Sequence, residues 1–206
     1  MIAGIPMTFK RDQWIATNSP IDAPRLHALG VVIVYWNNCE KELFVLLGEV
    51  LGLPLKELWV IAHDLGQVAI STKIEALARA KNFSCATQSA IKNTLEVYDI
   101  CRQNRNQLVH FWVSGLSGDR QLYRKSKKPE FSVKVFKSDL ADIRRVAEDI
   151  KALAYHMSAL QAAINTTGRG PPNSPLPSNL ALPALLYSSA PQAPTKQKPR
   201  RPSSHA

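Results

Sequence analysis

The sequence predicts a mainly all-α protein, an up-and-down four-helix bundle with a small β-hairpin inserted before the last helix. Three observations carry that expectation. Four long segments repeat apolar residues at helical spacing. Glycine, proline and other turn residues collect between those segments rather than inside them. One stretch, Phe131-Ser-Val-Lys-Val-Phe136, alternates apolar and polar residues as a half-buried strand does.

Residues 1–23 read as an irregular N-terminal arm, with Pro6 and Pro20 and with Phe9, Trp14 and Ile15 available to pack onto the domain. Asp22 before Pro24 is an N-cap signal with proline in the first turn. The helix it starts runs to Leu51. Its first half, Leu26 to Trp36, is apolar nearly all round, as expected of a central helix or one that also meets a second subunit. Its second half carries a stripe of Leu43, Phe44, Leu47, Val50 and Leu51, and Gly52 and Pro54 end it. Leu58-Trp59-Val60-Ile61 fits a short strand or a turn of helix equally well. The next helix spans Gln67 to Ala80, with Ile70, Ile74, Leu77 and Ala78 facing inward. Residues 82–85 then lead into a third long helix, Ala86 to Phe111, that contains neither Gly nor Pro.

Turn residues follow, Ser114-Gly115 and Ser117-Gly118-Asp119, and then two short strands, Gln121 to Arg124 and Phe131 to Phe136. Arg124, Lys125, Lys127 and Lys128 cluster between them. They read either as a solvated hairpin tip or as phosphate contacts beside the third helix. Ser138, with Asp139 and Asp142, caps the last helix. That helix runs to Ile164 with Leu140, Ile143, Val146, Ala147, Ile150, Leu153, Ala154, Met157 and Leu160 on one face. Residues 24–164 make up the helical domain. The remainder, 165–206, holds nine prolines among Ser, Ala and a few Leu, and reads as a disordered, basic tail. Leu180 to Tyr187 is its apolar island, either inert or a partner-binding segment.

With 206 residues, 45% of them hydrophobic, the chain has material for one domain and a tail. Half of the formal +10 charge lies beyond residue 164, leaving a modest basic excess that permits a polyanionic partner without requiring one. Cys39, Cys85 and Cys101 are odd in number and lack metal-ligand spacing, which argues against a disulfide framework and a zinc site. No metal or cofactor is expected. No apolar run reads as a signal peptide or a membrane span, so a soluble cytoplasmic protein is expected. His63-Asp64 reads as turn chemistry, and His27 and His156 as isolated helix histidines.

The third helix ends in Asn104-Arg105-Asn106-Gln107-Leu108-Val109-His110. At ~100° per residue, Ile91, Leu95, Val97, Tyr98, Cys101, Leu108, Val109 and Trp112 share one broad apolar side. Arg105 falls in the middle of it, with Arg102 close by. A guanidinium in an apolar stripe is unfavourable unless something pairs with it. Asn106 and His110, four apart, stand one above the other at its edge.

Arg105, Asn106 and His110, on a helix that follows two other long helices, resemble the signature of the HEPN superfamily over roughly residues 24–164. The resemblance implies a small helical bundle and, in many members, a metal-independent ribonuclease that cleaves RNA by transesterification, of toxin, defence or stress type. His110 would then serve as general base or acid, a role suited to an imidazole. Arg105 would stabilise charge on the phosphoryl oxygens, and Asn106 would orient the imidazole or hold a phosphate oxygen. The family completes its site by dimerising, so a homodimer is expected, with RNA and an antitoxin or other protein as partners. The alternative is a non-catalytic module of the same fold that binds nucleotide, RNA or protein. Taken one at a time, His110 and Arg105 also fit purely structural roles.

Glu40 lies at ~20° from Leu29 on the first helix, inside the stripe of Ile33, Trp36, Leu43, Leu47 and Leu51. A carboxylate there is as anomalous as Arg105. Either Glu40 meets Arg105 across the core as a supporting residue, or it reaches past its neighbours to solvent.

Overall fold

The structure, a computed structural model, describes residue 19 and residues 21–110, 112–114, 121–125, 133–136, 139–164 and 174–186; of the three stretches between 112 and 136 it describes the backbone alone. Five helices lie among the described residues: α1 (Ala23–Leu51), α2 (Leu55–Ala62), α3 (Gln67–Ala80), α4 (Cys85–Val109) and α5 (Leu140–Ile164). They form a helical bundle. α5 packs along α1, α4 closes against α5, and α3 bridges α1 and α4.

The helix ends follow local chemistry. The Asp22 side chain accepts the Arg25 N–H at 3.0 Å, with proline in the first turn of α1. At the other end Gly52 turns left-handed (φ 73°), so that Gly52 N–H reaches Glu49 O and Leu53 N–H reaches Gly48 O. Asn82 does the same work after α3 at φ 55°, a conformation asparagine tolerates better than most residues. The Ser84 hydroxyl caps α4 by accepting the Thr87 N–H at 3.1 Å. Asp139 caps α5 by accepting the Asp142 N–H at 2.7 Å, while the expected cap Ser138 lies outside the described residues.

The core is built from the expected stripes. Trp36, Leu43 and Leu47 of α1, Ile70 and Ile74 of α3, Ile91 and Leu108 of α4, and Ile143 through Leu160 of α5 are buried. Apolar burial of this kind is the main favourable term in folding. Leu58-Trp59-Val60-Ile61 resolves as helix, within α2. Only one of its faces is inward: Leu58 is buried, while Trp59, Val60 and Ile61 are exposed. Gly48 permits that crossing, since a Cβ there would stand 3.1 Å from Leu58 Cδ2.

Between α4 and α5, three backbone segments, β1 (Trp112–Ser114), β2 (Gln121–Lys125) and β3 (Val133–Phe136), pair antiparallel in the order β1-β2-β3. Their side chains and connections lie outside the described residues, as does the basic loop with Lys127 and Lys128. The N-terminal arm, with Phe9, Trp14 and Ile15, lies outside them too.

The structure departs from the expected disordered tail at residues 174–186. This segment is neither helix nor strand, yet it lies along α4 as an extended strap with Leu180 and Leu186 packed against the core. The Asn93 side chain donates to Leu180 O at 3.1 Å and accepts Leu180 N–H at 2.9 Å. The Asn104 side chain donates to Ala184 O at 3.1 Å and accepts Leu186 N–H at 2.9 Å. Composition alone predicts too little burial to order this stretch; the hydrogen bonds come from the helix it lies on, with one more from Arg145 of α5.

Candidate active site at the end of the fourth helix

The last turns of α4 bring Arg105 beside the indole of Trp36, which projects from α1. The guanidinium carbon stands 5.9 Å from the ring centroid, within cation–π range. Trp36 is itself fixed, with the Tyr98 ring 5.0 Å away at a 34° tilt. Arg105 Nη1 donates to the Asn106 side-chain oxygen at 3.0 Å, so the two motif residues are in contact. Arg105 Nε is buried and finds no hydrogen-bond partner among the described residues, and the same holds for Gln107 Oε1 and the Tyr98 hydroxyl. Buried polar groups are ordinarily satisfied, so this end of α4 keeps hydrogen-bonding capacity in reserve.

His110 sits where the helix stops. The expected helix extended to Phe111, but it ends at Val109, and His110 is the C-terminal cap with its N–H on Asn106 O at 3.2 Å. Its exposed imidazole makes no hydrogen bond among the described residues.

Glu40 and Arg105 do not pair: no ion pair within 4.0 Å joins them, which overturns the expected core contact. The physical reason is Trp36. Its N–H donates to the Glu40 carboxylate on one side, and its ring face takes the arginine on the other. The same carboxylate oxygen accepts from the Gln67 amide of α3. Glu40 thus supports Arg105 at one remove, by holding the ring. Arg102 turns away to Asp99, donating through Nε at 3.2 Å and also through Nη2, while Gln103 donates to the other Asp99 oxygen at 2.7 Å. Arg124 and Lys125 belong to β2, whose side chains lie outside the described residues, as do Lys127 and Lys128.

Burial, then the charges of Glu40 and Cys39, push the Tyr98 phenol up, against the opposing pull of Arg102 and Arg105, so it stays protonated at neutral pH. The buried thiols are unreactive for the same reason. Cys101 is pushed up to about 12 by burial and then by Asp149, and Cys39, which donates to Ile150 O at 3.1 Å, is raised further. His156 is structural. Thr94 spends its proton on Ala90 O at 2.8 Å, so His156 Nε2, 3.1 Å from that hydroxyl, is the donor of a buried neutral ring. Among the described residues no group of His, Cys, Asp or Glu could hold a metal ion, and no helix is long and apolar enough to cross a membrane.

Sequence reasoning missed Trp36 as the arginine's platform and Asn104 as a buried residue. The stripe position of Trp36 signalled burial and nothing about Arg105. For Asn104 a signal existed: it lies eleven residues after Asn93, which is ~20° away around the helix.

Compared with known proteins, the chain matches no family model, no curated protein and no solved structure.

Proposed function

We propose that the chain is a HEPN-like, metal-independent endoribonuclease of toxin or defence type that cleaves RNA by transesterification. One observation carries this reading. Arg105 is held by the Trp36 ring and Asn106 with its buried Nε unpaired, and the exposed imidazole of His110, without a hydrogen-bond partner among the described residues, lies about one turn further on. A guanidinium fixed before substrate arrives suits charge developing on a phosphoryl group. The 2′-oxygen of the ribose attacks phosphorus, the bond to the 5′-oxygen breaks, and a 2′,3′-cyclic phosphate forms. One imidazole takes the 2′-hydroxyl proton and a second gives a proton to the departing oxygen. Each copy supplies one His110, so the reaction calls for two copies in a cytoplasmic homodimer. Val34 of α1, 61% exposed, supports a surface for such pairing. The up-and-down arrangement of the long helices and a hairpin presenting Arg124, Lys125, Lys127 and Lys128 to the RNA backbone belong to the same proposal.

A second reading, a non-catalytic module of this fold, is favoured by the way Asn93 and Asn104 engage polypeptide. Incubating the purified protein with labelled RNA in EDTA separates the two. Cleavage that leaves cyclic phosphate ends and vanishes in His110→Ala supports the nuclease; RNA binding without cleavage supports the module.

A further inference from the structure

We propose that the α4 face marked by Asn93 and Asn104, with Arg145 of α5, is a polypeptide-binding groove, and that residues 174–186 are a ligand it carries in cis. The groove takes an extended segment bearing leucines where Leu180 and Leu186 now sit, and this chain's own 174–186 sequence presented in trans fits it equally well.

The contacts are those of a peptide site. Each asparagine spends its amide oxygen and one of its two amide N–H donors on main-chain groups of the strap. Asn93 takes the N–H and C=O of Leu180, as a neighbouring β-strand would. Asn104 takes Ala184 C=O and Leu186 N–H, and Arg145 Nη1 adds a second hydrogen bond to Ala184 O at 3.2 Å. The amide of Asn104 is fully buried, so its hydrogen bonds form away from competing water. The register is matched as well. Eleven helical residues separate the asparagines by ~16 Å, and six residues in extended, polyproline-like conformation cover ~19 Å. The prolines at 175, 177 and 183 favour that conformation and fall where the groove asks for no N–H. Beside Leu182 the groove widens into a cavity of about 440 Å³ lined by Leu95, Glu96, Asp99 and Ile100 of α4 and by Glu75 of α3. Leu182 remains 56% exposed at its edge, so the strap leaves this part of the groove unfilled.

The proposal is independent of the ribonuclease reading, and its test uses the full chain. Leu180→Asp together with Leu186→Asp weakens the strap while leaving the groove intact. A fluorescein-labelled peptide of residues 174–187 should then bind this variant at least roughly tenfold more tightly than wild type, in which the tethered strap competes at high effective concentration. Adding Asn93→Leu and Asn104→Leu to that background should abolish peptide binding. As a check that needs no strap variant, hydrogen exchange of wild type should show slow Leu180 and Leu186 amides. Asn93→Leu with Asn104→Leu should release those amides and leave the helices protected. Absence of peptide binding by the strap variant with helical circular dichroism unchanged overturns the proposal, and so does fast exchange at Leu180 and Leu186 in wild type. If the strap variant does not fold, the exchange experiment decides alone.

Discussion

The two polar sets on α4 have been treated in opposite ways. Asn93 and Asn104 each have the amide oxygen and one amide N–H answered by one segment of the same chain. One residue after Asn104, Arg105 is held against Trp36 with Nε unanswered, and Gln107 keeps an open oxygen. A polar group with partners already in place stabilises the arrangement it sits in. One without partners carries a desolvation cost that an incoming ligand can relieve. The helix thus divides into a face met by a segment of the same chain and an end whose buried polar atoms are unpaired among the described residues.

Substitutions on the two sides should separate cleanly, and the largest effect is expected at the open end. Arg105→Ala and His110→Ala should each lower RNA cleavage by about 10²-fold or more, the scale of a lost general acid–base or charge-stabilising group. Melting should change little in His110→Ala, whose side chain is exposed. Asn104→Ala should do the reverse and destabilise by ~1–3 kcal/mol, the cost of unanswered buried main-chain groups, with cleavage largely kept. Cleavage assays and thermal melts on the same preparations check both. Equal losses of cleavage in all three would dissolve the contrast.

Next in size is the strap itself. Deleting residues 174–206 removes Leu180 and Leu186 from the core surface and strips Asn93 and Asn104 of their partners. The midpoint should fall by more than ~4 °C, the shift that about 1 kcal/mol produces in a domain of this size. An unchanged midpoint would return the segment to the status that its composition suggested.

That contrast also marks what could be read from the residues. The stripes of α1, α3, α4 and α5 were legible because helical periodicity reports directly which side is buried, as Ile143 to Leu160 show. Gly52 announced the end of α1, since a left-handed turn there asks for glycine. The strap was not legible. It has no periodicity, and its order depends on asparagines 80 or more positions upstream of the groups they hold. The supposed pair of Glu40 and Arg105 failed for a related reason. Angular position says that two residues point inward, not which third residue stands between them, and here that residue is Trp36.

A smaller effect tests this corrected arrangement. Glu40→Ala removes the acceptor for Trp36 and Gln67 and should destabilise by ~1–2 kcal/mol, short of the ~3–5 kcal/mol expected for breaking a buried ion pair. Gln67→Ala should be milder, and the two changes should be clearly non-additive because they share one contact. Chemical denaturation of the single and double variants checks this. Additivity would mean that the carboxylate is not where the two donors meet.

The smallest expected effect is on pH dependence, and it comes from the buried His156 and the half-buried Asp149. Burial lowers the proton affinity of His156 below its ordinary 6.5, so below that pH the unfolded chain binds a proton more readily than the folded one. Stability therefore rises with pH through this window: it is fully present above 6.5 and declines as acid drives a charge into the pocket beside Thr94. Asp149 works in the opposite sense. Burial raises its carboxyl above 3.8, against Arg145, so the folded state holds that proton more tightly, and acidification toward 3.8 restores part of what was lost. Thermal melts from pH 7.5 to 5.5 should show a fall smaller than that from deleting the strap. His156→Gln, which keeps a donor for the Thr94 hydroxyl without a titrating ring, should flatten it. A variant with the wild-type slope would mean that the acid sensitivity arises from other groups and that His156 is less enclosed than its burial implies.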